Sequence, residues 1–308
     1  MNTVSVTFGS RGSALARWQT DWAITQLKKA WPDLDCRSKT FTTAGDRTLD
    51  KPLPEIGGKG LFIAELENAL RSGEIDIAVH SLKDLPVENA IGLTLGAIGE
   101  REDAHDVLIA RDDWTLATLP HGARLGTCSL RRTAQALAIR PDLITLPLRG
   151  NVDTRLRKAL NGDYDAIVLA AAGVSRLGLG EHISEYLPFD IMLPAPGQAA
   201  LAVQCRADDL ASRALLSALD HAPTRAAVTA ERAFLQSLGS GCSAPVAAYA
   251  VFSPSPDGGE GWGRLTTLIA SLDGQRLIRV SGEGSNPMTL GAQLAQQALV
   301  QGAEGLLQ

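Results

Sequence analysis

The sequence predicts an α/β protein with two similar domains, followed from about residue 218 by a smaller α+β domain. Three observations lead there. Strand-like apolar runs alternate with helix-like amphipathic runs twice over, in a similar layout and without a sequence repeat. A stiff connector, Leu193-Pro194-Ala195-Pro196-Gly197-Gln198, then leads into another strand-like run. From about Thr224 the order changes to one helix, three strands and a closing helix.

In the first layout, Val4–Phe8 alternates like a strand, and Ala14–Ala30 reads as an amphipathic helix stopped by Trp31-Pro32. Cys36–Thr42 reads as a strand, Leu61–Leu70 as a helix and Ile75–Val79 as a short apolar strand. In the second layout, Arg124–Gly126 ends a strand and Leu130–Ile139 is a helix. Leu143–Leu146, Val152–Leu160 and Ala166–Ala170 follow as strand, helix and strand. Such alternation implies sheets of parallel strands. Ala200–Cys205 is a further strand. Glu100-Arg101-Glu102-Asp103 reads as an earlier crossing point, and a chain that crosses twice between two domains makes a hinge beside a cleft. The expected division is 1–99 with 200–217, then 100–199, then 218–308. In the last part, Thr224–Leu238 is a helix, Val246–Phe252, Arg264–Ser271 and Arg276–Ser281 are strands, and Leu290–Val300 is a helix. Ser253–Gly263, polar and glycine-rich, reads as a surface loop.

Composition excludes several classes. The net charge of −5 argues against general nucleic-acid binding. No apolar run is long enough to span a membrane. Met1–Gly9 lacks the basic start and apolar stretch of a signal peptide, so a cytoplasmic location is expected. Cys36, Cys128, Cys205 and Cys242 are widely spaced and form no CxxC pair, and His80, His105, His121, His182 and His221 show no ligand spacing. No metal site is expected. Gly57-Gly58-Lys59-Gly60 lacks the spacing and hydroxyl of a P-loop, although Lys51–Gly60 has the glycines and prolines of a movable flap.

Charge is unevenly placed. Between Arg124 and Arg176 there are eight arginines and one lysine against four aspartates, inside an acidic chain. Arginine holds carboxylates and phosphates in fixed geometry. Arg140 and Arg157 read as ordinary solvated helix positions, but Arg131-Arg132 follow Gly126-Thr127-Cys128-Ser129 at a helix start. Unpaired N–H groups, hydroxyls and guanidinium groups together make an anion site. Arg149-Gly150-Asn151-Val152-Asp153-Thr154-Arg155 repeats that arrangement, with Arg176 as a further contributor. Ser10-Arg11-Gly12-Ser13, taken alone, is best read as a helix N-cap by Ser13 with a surface arginine. His80-Ser81-Leu82-Lys83-Asp84-Leu85-Pro86 reads equally as a catalytic Lys–Asp pair or an exposed ion pair. Gly239-Ser240-Gly241-Cys242-Ser243 is either a helix-ending glycine with a small buried thiol or a cysteine kept reachable by glycines.

Together, Val79–Pro86, Gly126–Arg132, Leu148–Val152, Leu193–Gln198 and Gly241-Cys242 resemble the porphobilinogen deaminases, also called hydroxymethylbilane synthases, over nearly the whole chain. The resemblance implies two doubly wound domains, like those of periplasmic binding proteins, around a cleft, plus a small α+β domain. It implies a cytoplasmic, monomeric transferase that joins four porphobilinogen molecules into the linear tetrapyrrole hydroxymethylbilane and releases four ammonia. The growing chain hangs on a dipyrromethane cofactor, whose thioether cysteine corresponds to Cys242. Asp84 matches the catalytic position. Lys83, Thr127, Ser129, Arg131 and Arg132 match cofactor-binding positions, and Arg11, Ser13, Arg149, Arg155 and Arg176 match substrate-binding positions. An arginine-rich stretch suits this ligand, because each pyrrole carries an acetate and a propionate. A non-catalytic carboxylate receptor of the same two-domain plan is the alternative, but it leaves Asp84 and Cys242 without a purpose. Cys128 stands where serine is common in the family, Ala199 where glycine is usual, and Glu55 in the flap where some relatives are basic.

Overall fold

A computed structural model describes residues 5–42, 63–239, 244–253 and 261–307. The chain forms two compact units, residues 1–101 with 200–225 and residues 102–199 with 226–308.

The first unit holds β1 (Ser5–Arg11), α1 (Ala14–Ala30), β2 (Asp35–Phe41), α2 (Ala64–Ser72), β3 (Ile77–Ser81) and β4 (Leu93–Ile98). Its sheet is ordered β2-β1-β3-β10-β4, where β10 is Leu201–Arg206. β1 runs parallel to β2 and β3, while β10 is antiparallel to both β3 and β4. The expected parallel pairing holds for β1, β2 and β3, while the strand that returns from the second unit enters against its neighbours. α1 forms because Ser13 caps it, its Oγ accepting from the Ala16 amide at 3.2 Å, and because Lys28 and Lys29 sit at its negative end. It buries Ala16, Gln19, Thr20, Ala23 and Leu27, one face at helical spacing. Side chains on β3 alternate between faces: Ile77 and Val79 join Phe8, Leu27 and Val203, while Ala78 joins Leu66, Leu70 and Ile75. A sheet covered on both faces needs such apolar strands. α6 (Leu210–Leu216) completes this unit.

The second unit repeats the wiring. It contains β5 (Asp106–Ala110), β6 (Arg124–Gly126), α3 (Leu130–Ile139), β7 (Ile144–Leu146), α4 (Val152–Leu160), β8 (Ala166–Ala170), α5 (Ala171–Arg176) and β9 (Glu185–Leu187). Its sheet is ordered β7-β6-β8-β5-β9, with β6 parallel to β7 and β8 and β5 antiparallel to β8 and β9. Here too the antiparallel strand is the first one after the chain arrives from the other unit. Leu108, Leu125 and Val168 face one core, and Val107, Ile109, Ile167 and Leu169 the other.

The same unit includes most of α7 (Ala222–Ser237) and an antiparallel sheet of β11 (Val246–Ser253), β12 (Trp262–Ala270) and β13 (Leu277–Gly284). α8 (Pro287–Val300) closes it, capped by Asn286, whose Oδ1 accepts from the Thr289 amide at 3.0 Å. The expected loop ends earlier than predicted: Trp262 and Gly263 already pair in β12, and residues 254–260 lie outside the described residues.

Candidate active site

The candidate residues of the first unit lie at the carboxyl ends of β1 and β3, where open parallel sheets place their sites. Beyond β3 the chain makes a short 3-10 turn, Leu82–Asp84. Leu82 and Leu85 are buried and pin the turn from both ends, and the Leu82 amide donates to the Ala200 carbonyl at 3.0 Å. Between these anchors Lys83 is half-buried and Asp84 is exposed. Ser81, just before the turn, accepts a 2.8 Å hydrogen bond from buried Gln19 of α1. His80 is buried; removal from water and the nearby Arg11 charge push its pKa down to about 4, with Gln204 pulling the other way. Its Nε2 makes no hydrogen bond of good geometry. Arg11 is half-buried at the end of β1, and Ser13 serves α1 as its cap.

In the second unit the Gly126–Arg132 segment divides in two. Gly126 leaves no room for a side chain, because a Cβ there would stand 2.7 Å from the Tyr164 ring and 2.9 Å from Ile167. The Thr127 amide donates to the Leu146 carbonyl at 2.9 Å, and the Ser129 amide to the Thr127 Oγ1 at 3.1 Å. Cys128 is exposed. Ser129 occupies the N-cap position of α3 but makes no capping bond with its side chain. Arg131 and Arg132, in contrast, turn inward and are only 5% and 6% exposed.

The anion they hold is Asp106, the first residue of β5, which has no exposed surface. Arg131 Nη1 and Arg132 Nη2 each reach a different Asp106 oxygen at 2.7 Å. Burial works against the charged carboxylate, but the two guanidinium groups prevail and hold its pKa well below the usual range. Gln198 Nε2 also donates to Asp106 at 3.0 Å and to the Ala104 carbonyl at 2.8 Å. The arginines of this segment thus pair with a carboxylate of the same unit. Asp106 carried no signal in the sequence, and neither did buried Gln135, which accepts from the Leu193 amide at 2.8 Å and donates to the Leu193 carbonyl at 3.1 Å. The signal available was the pair itself, since two adjacent arginines on a short helix cannot both enter a core without a counter-charge.

Around α4, Gly150 takes φ +116°, and the Arg155 Nε reaches back to its carbonyl at 2.7 Å. Asn151 holds the N-cap position without a side-chain bond. Arg149 is half-buried. Arg176, at the end of α5, donates from Nη2 to the Ala199 carbonyl at 2.7 Å, and burial lowers its pKa against the pull of Glu102. Ala199 has φ +70°, a left-handed conformation that strains any residue with a Cβ. Arg140 is no solvated surface arginine: it chelates Asp142 and reaches the carbonyls of Leu116, Ala117, Leu119 and Pro120. Arg157 does stay exposed, 3.7 Å from Asp153. Cys242 and its neighbours 240–243, and the flap with Glu55, lie outside the described residues. Gly239 is described, with φ +65° just past α7.

Two family models cover this chain. Residues 6–214 match "Porphobilinogen deaminase, dipyromethane cofactor binding domain", and residues 225–300 match "Porphobilinogen deaminase, C-terminal domain". The chain belongs to the porphobilinogen deaminase family. It is 48% identical to the porphobilinogen deaminase of Brevibacillus brevis over 97% of this chain and 95% of that protein. It is 50% identical to that of Roseiflexus castenholzii over 98% of each. Among solved structures, the VFT2 domain of Bordetella pertussis BvgS covers 70% of this chain and 86% of its own, with 17% identity and a TM-score of 0.43. Within a porphobilinogen deaminase, the exposed Asp84 and the buried Arg131–Asp106–Arg132 cluster stand as two chemically different parts, one open to solvent and one paired inside the fold.

Proposed function

We propose that this protein joins four porphobilinogen molecules head to tail, releasing four ammonia and the linear tetrapyrrole hydroxymethylbilane. Family membership over nearly the whole chain carries this reading. No observation favours the non-catalytic receptor.

Bound dipyrromethane supplies the free pyrrole α-carbon from which the product grows. Cys242 is the proposed attachment point, in the α+β part we place at 218–308, after 1–99 with 200–217 and 100–199. The described residues fit an acidic ligand of this kind. Arg131 Nε is a buried donor with no partner, on a side chain otherwise tied to Asp106 and the Leu193 carbonyl. Lys83, Thr127, Ser129, Arg131 and Arg132 are the proposed cofactor-binding set. Arg11, Ser13, Arg149, Arg155 and Arg176 are proposed to bind the acetate and propionate arms of the substrate.

Asp84 is the proposed catalytic residue. Loss of ammonia from porphobilinogen leaves positive charge on a pyrrole nitrogen. A carboxylate beside that N–H stabilises the charge and takes part in proton movement. Exposure of Asp84 on a turn held by Leu82 and Leu85 supports this role, since a fixed base leaves its oxygens open to a substrate. The protein is proposed to act as a cytoplasmic monomer without a nucleic-acid partner. Among the described residues, no helix is long and apolar enough to cross a membrane.

The test is intact mass together with Ehrlich's reagent, on protein from a host able to make the cofactor. Wild-type chain should carry a dipyrromethane-sized adduct and give colour, and Cys242→Ser should do neither. A normal adduct on Cys242→Ser would refute the attachment point, and bare wild-type chain would refute the enzymatic reading.

A further inference from the structure

The end strand of the first sheet borders a cavity that no proposed catalytic or binding residue lines. β4 pairs with β10 on one side and ends the sheet on the other. Its register passes from Ala97–Val203 to Leu95–Gln204, so Gly96 is one residue extra and the strand bulges there. A Cβ on Gly96 would stand 2.6 Å from Leu216 Cδ1 and 3.1 Å from Cys205 Sγ, so glycine lets α6 lie close over the bulge. Beside the bulge is a cavity of about 510 Å³. Its apolar lining comes from Leu95, Leu210 and Ala214, and its charges from Arg213, Asp220 and Arg225. Those charges are unequal. Arg225 Nε reaches the two Asp220 oxygens at 2.9 and 2.8 Å, and Asp220 Oδ1 also accepts from the Ile98 amide at 2.8 Å. Arg213 is exposed, and its guanidinium makes one hydrogen bond among the described residues, to the Ala207 carbonyl at 3.3 Å.

We propose that this cavity is a second binding site, which takes a small amphipathic carboxylate with its apolar body on Leu95, Leu210 and Ala214 and its charged end on Arg213. The volume lies within the roughly 300–1,000 Å³ of small-molecule pockets, and apolar walls with a few placed charges are their usual lining. The sign of the ligand follows from the charges. Asp220 and Arg225 neutralise each other, so Arg213 sets the field at the mouth as positive. A carboxylate takes two N–H groups of a guanidinium at once, whereas an ammonium would be repelled. The need for an apolar body follows from Leu210, which leaves 71% of its surface in water until something covers it. Inorganic phosphate brings charge alone and leaves that surface wet. The site stands apart from the proposed reaction, because none of these residues belongs to its catalytic, cofactor-binding or substrate-binding set.

The test uses the full chain and a fluorescent amphipathic anion, 8-anilinonaphthalene-1-sulfonate, displaced by hexanoate, hexylammonium or inorganic phosphate. Wild type is compared with Arg213→Ala, Arg213→Lys and Ala214→Phe, the last of which fills the cavity from an exposed position on α6. Hexanoate is expected to displace the dye from wild type and to raise its Tm, as any ligand of the folded state does. Arg213→Ala should weaken hexanoate about tenfold or more, the size of a lost charged hydrogen bond, and Arg213→Lys should restore part of it. Ala214→Phe should abolish the displacement, and turnover of porphobilinogen should be unchanged in Arg213→Ala. Hexylammonium and phosphate should each be weaker than hexanoate by about tenfold or more. Equal hexanoate binding by wild type and Arg213→Ala overturns the site, as does a wild type from which hexanoate displaces nothing. Hexylammonium as effective as hexanoate overturns the carboxylate, and phosphate as effective overturns the apolar half. Should Ala214→Phe not fold, the Arg213→Ala and Arg213→Lys pair decides alone, since that side chain is exposed.

Discussion

The loop after β3 in the first sheet turns Asp84 out to solvent, whereas the loop after β6 in the second leads into a helix whose Arg131 and Arg132 turn inward onto Asp106. The two sheets share a strand order in which β6 corresponds to β1 and β3 to β8, so the two loops also leave from different places in that wiring. An exposed carboxylate on a pinned turn is able to meet a changing partner. Buried guanidinium groups around a carboxylate are able only to hold what fits. The comparison teaches that a basic stretch in a sequence measures how much positive charge must be balanced, and that part of the balance is internal.

The largest test of this contrast is Asp84→Asn. We expect turnover to fall by about 10²–10⁴-fold, the usual range for a general acid–base group, with Tm unchanged because the side chain is exposed. Near-normal turnover would remove Asp84 from the chemistry.

Acid titration separates the two units next. His80 has a folded pKa of about 4, below the roughly 6.5 of an unfolded histidine. Below pH ~6.5 the unfolded chain therefore binds a proton that the fold refuses, and stability drops by up to about 3 kcal/mol as pH falls to ~4. His80→Gln should flatten that limb in urea titrations run across this range. Asp106 acts in the same direction but in a lower window: its depressed pKa adds stability above the unfolded carboxylate value of about 3.9, and this is lost only as pH falls below it. An unchanged slope in His80→Gln would show that another group sets the limb.

Arginines of the second unit differ among themselves. Arg140→Ala should destabilise by about 2 kcal/mol through loss of its carbonyl and carboxylate partners, and Arg157→Ala should leave denaturant midpoints where they were. Equal effects would mean that the Arg140 clamp contributes little. The smallest expected change is a gain: Ala199→Gly should stabilise by about 1 kcal/mol by relieving the φ of +70°, read as a rise in Tm. A fall in Tm would mean that the methyl group of Ala199, which packs with Ala104 and Ala172, outweighs the strain.

Long periodic elements were legible in the sequence: α1, α3, α4 and β8 begin and end where the pattern said. Their caps and apolar spacing are local properties. β4, β5 and β9 were missed for reasons that are not local. β4 carries Gly96 in mid-run, β9 has three residues, and β5 opens with Asp106 directly after an acidic stretch that reads as loop. Asp106 belongs in a strand because arginines more than twenty residues away in the chain need its charge. The carboxyl-end position of Asp84 was legible from the apolar strand before it, but the inward turn of Arg131 and Arg132 was not. Their direction is set by a partner that only the folded sheet brings near.

The antiparallel strands have a consequence for synthesis. β5 through β9, residues 106–187, supply the whole five-stranded sheet of the second unit in one continuous stretch. The first sheet must wait for β10, which leaves the ribosome only when Arg206 does. Until then β3 and β4 face a gap, each with an unpaired edge in a chain whose later-made sheet is already complete. The part of the protein that is translated first is thus finished second. A stalled or truncated product ending before residue 201 would carry open strand edges for quality control to recognise.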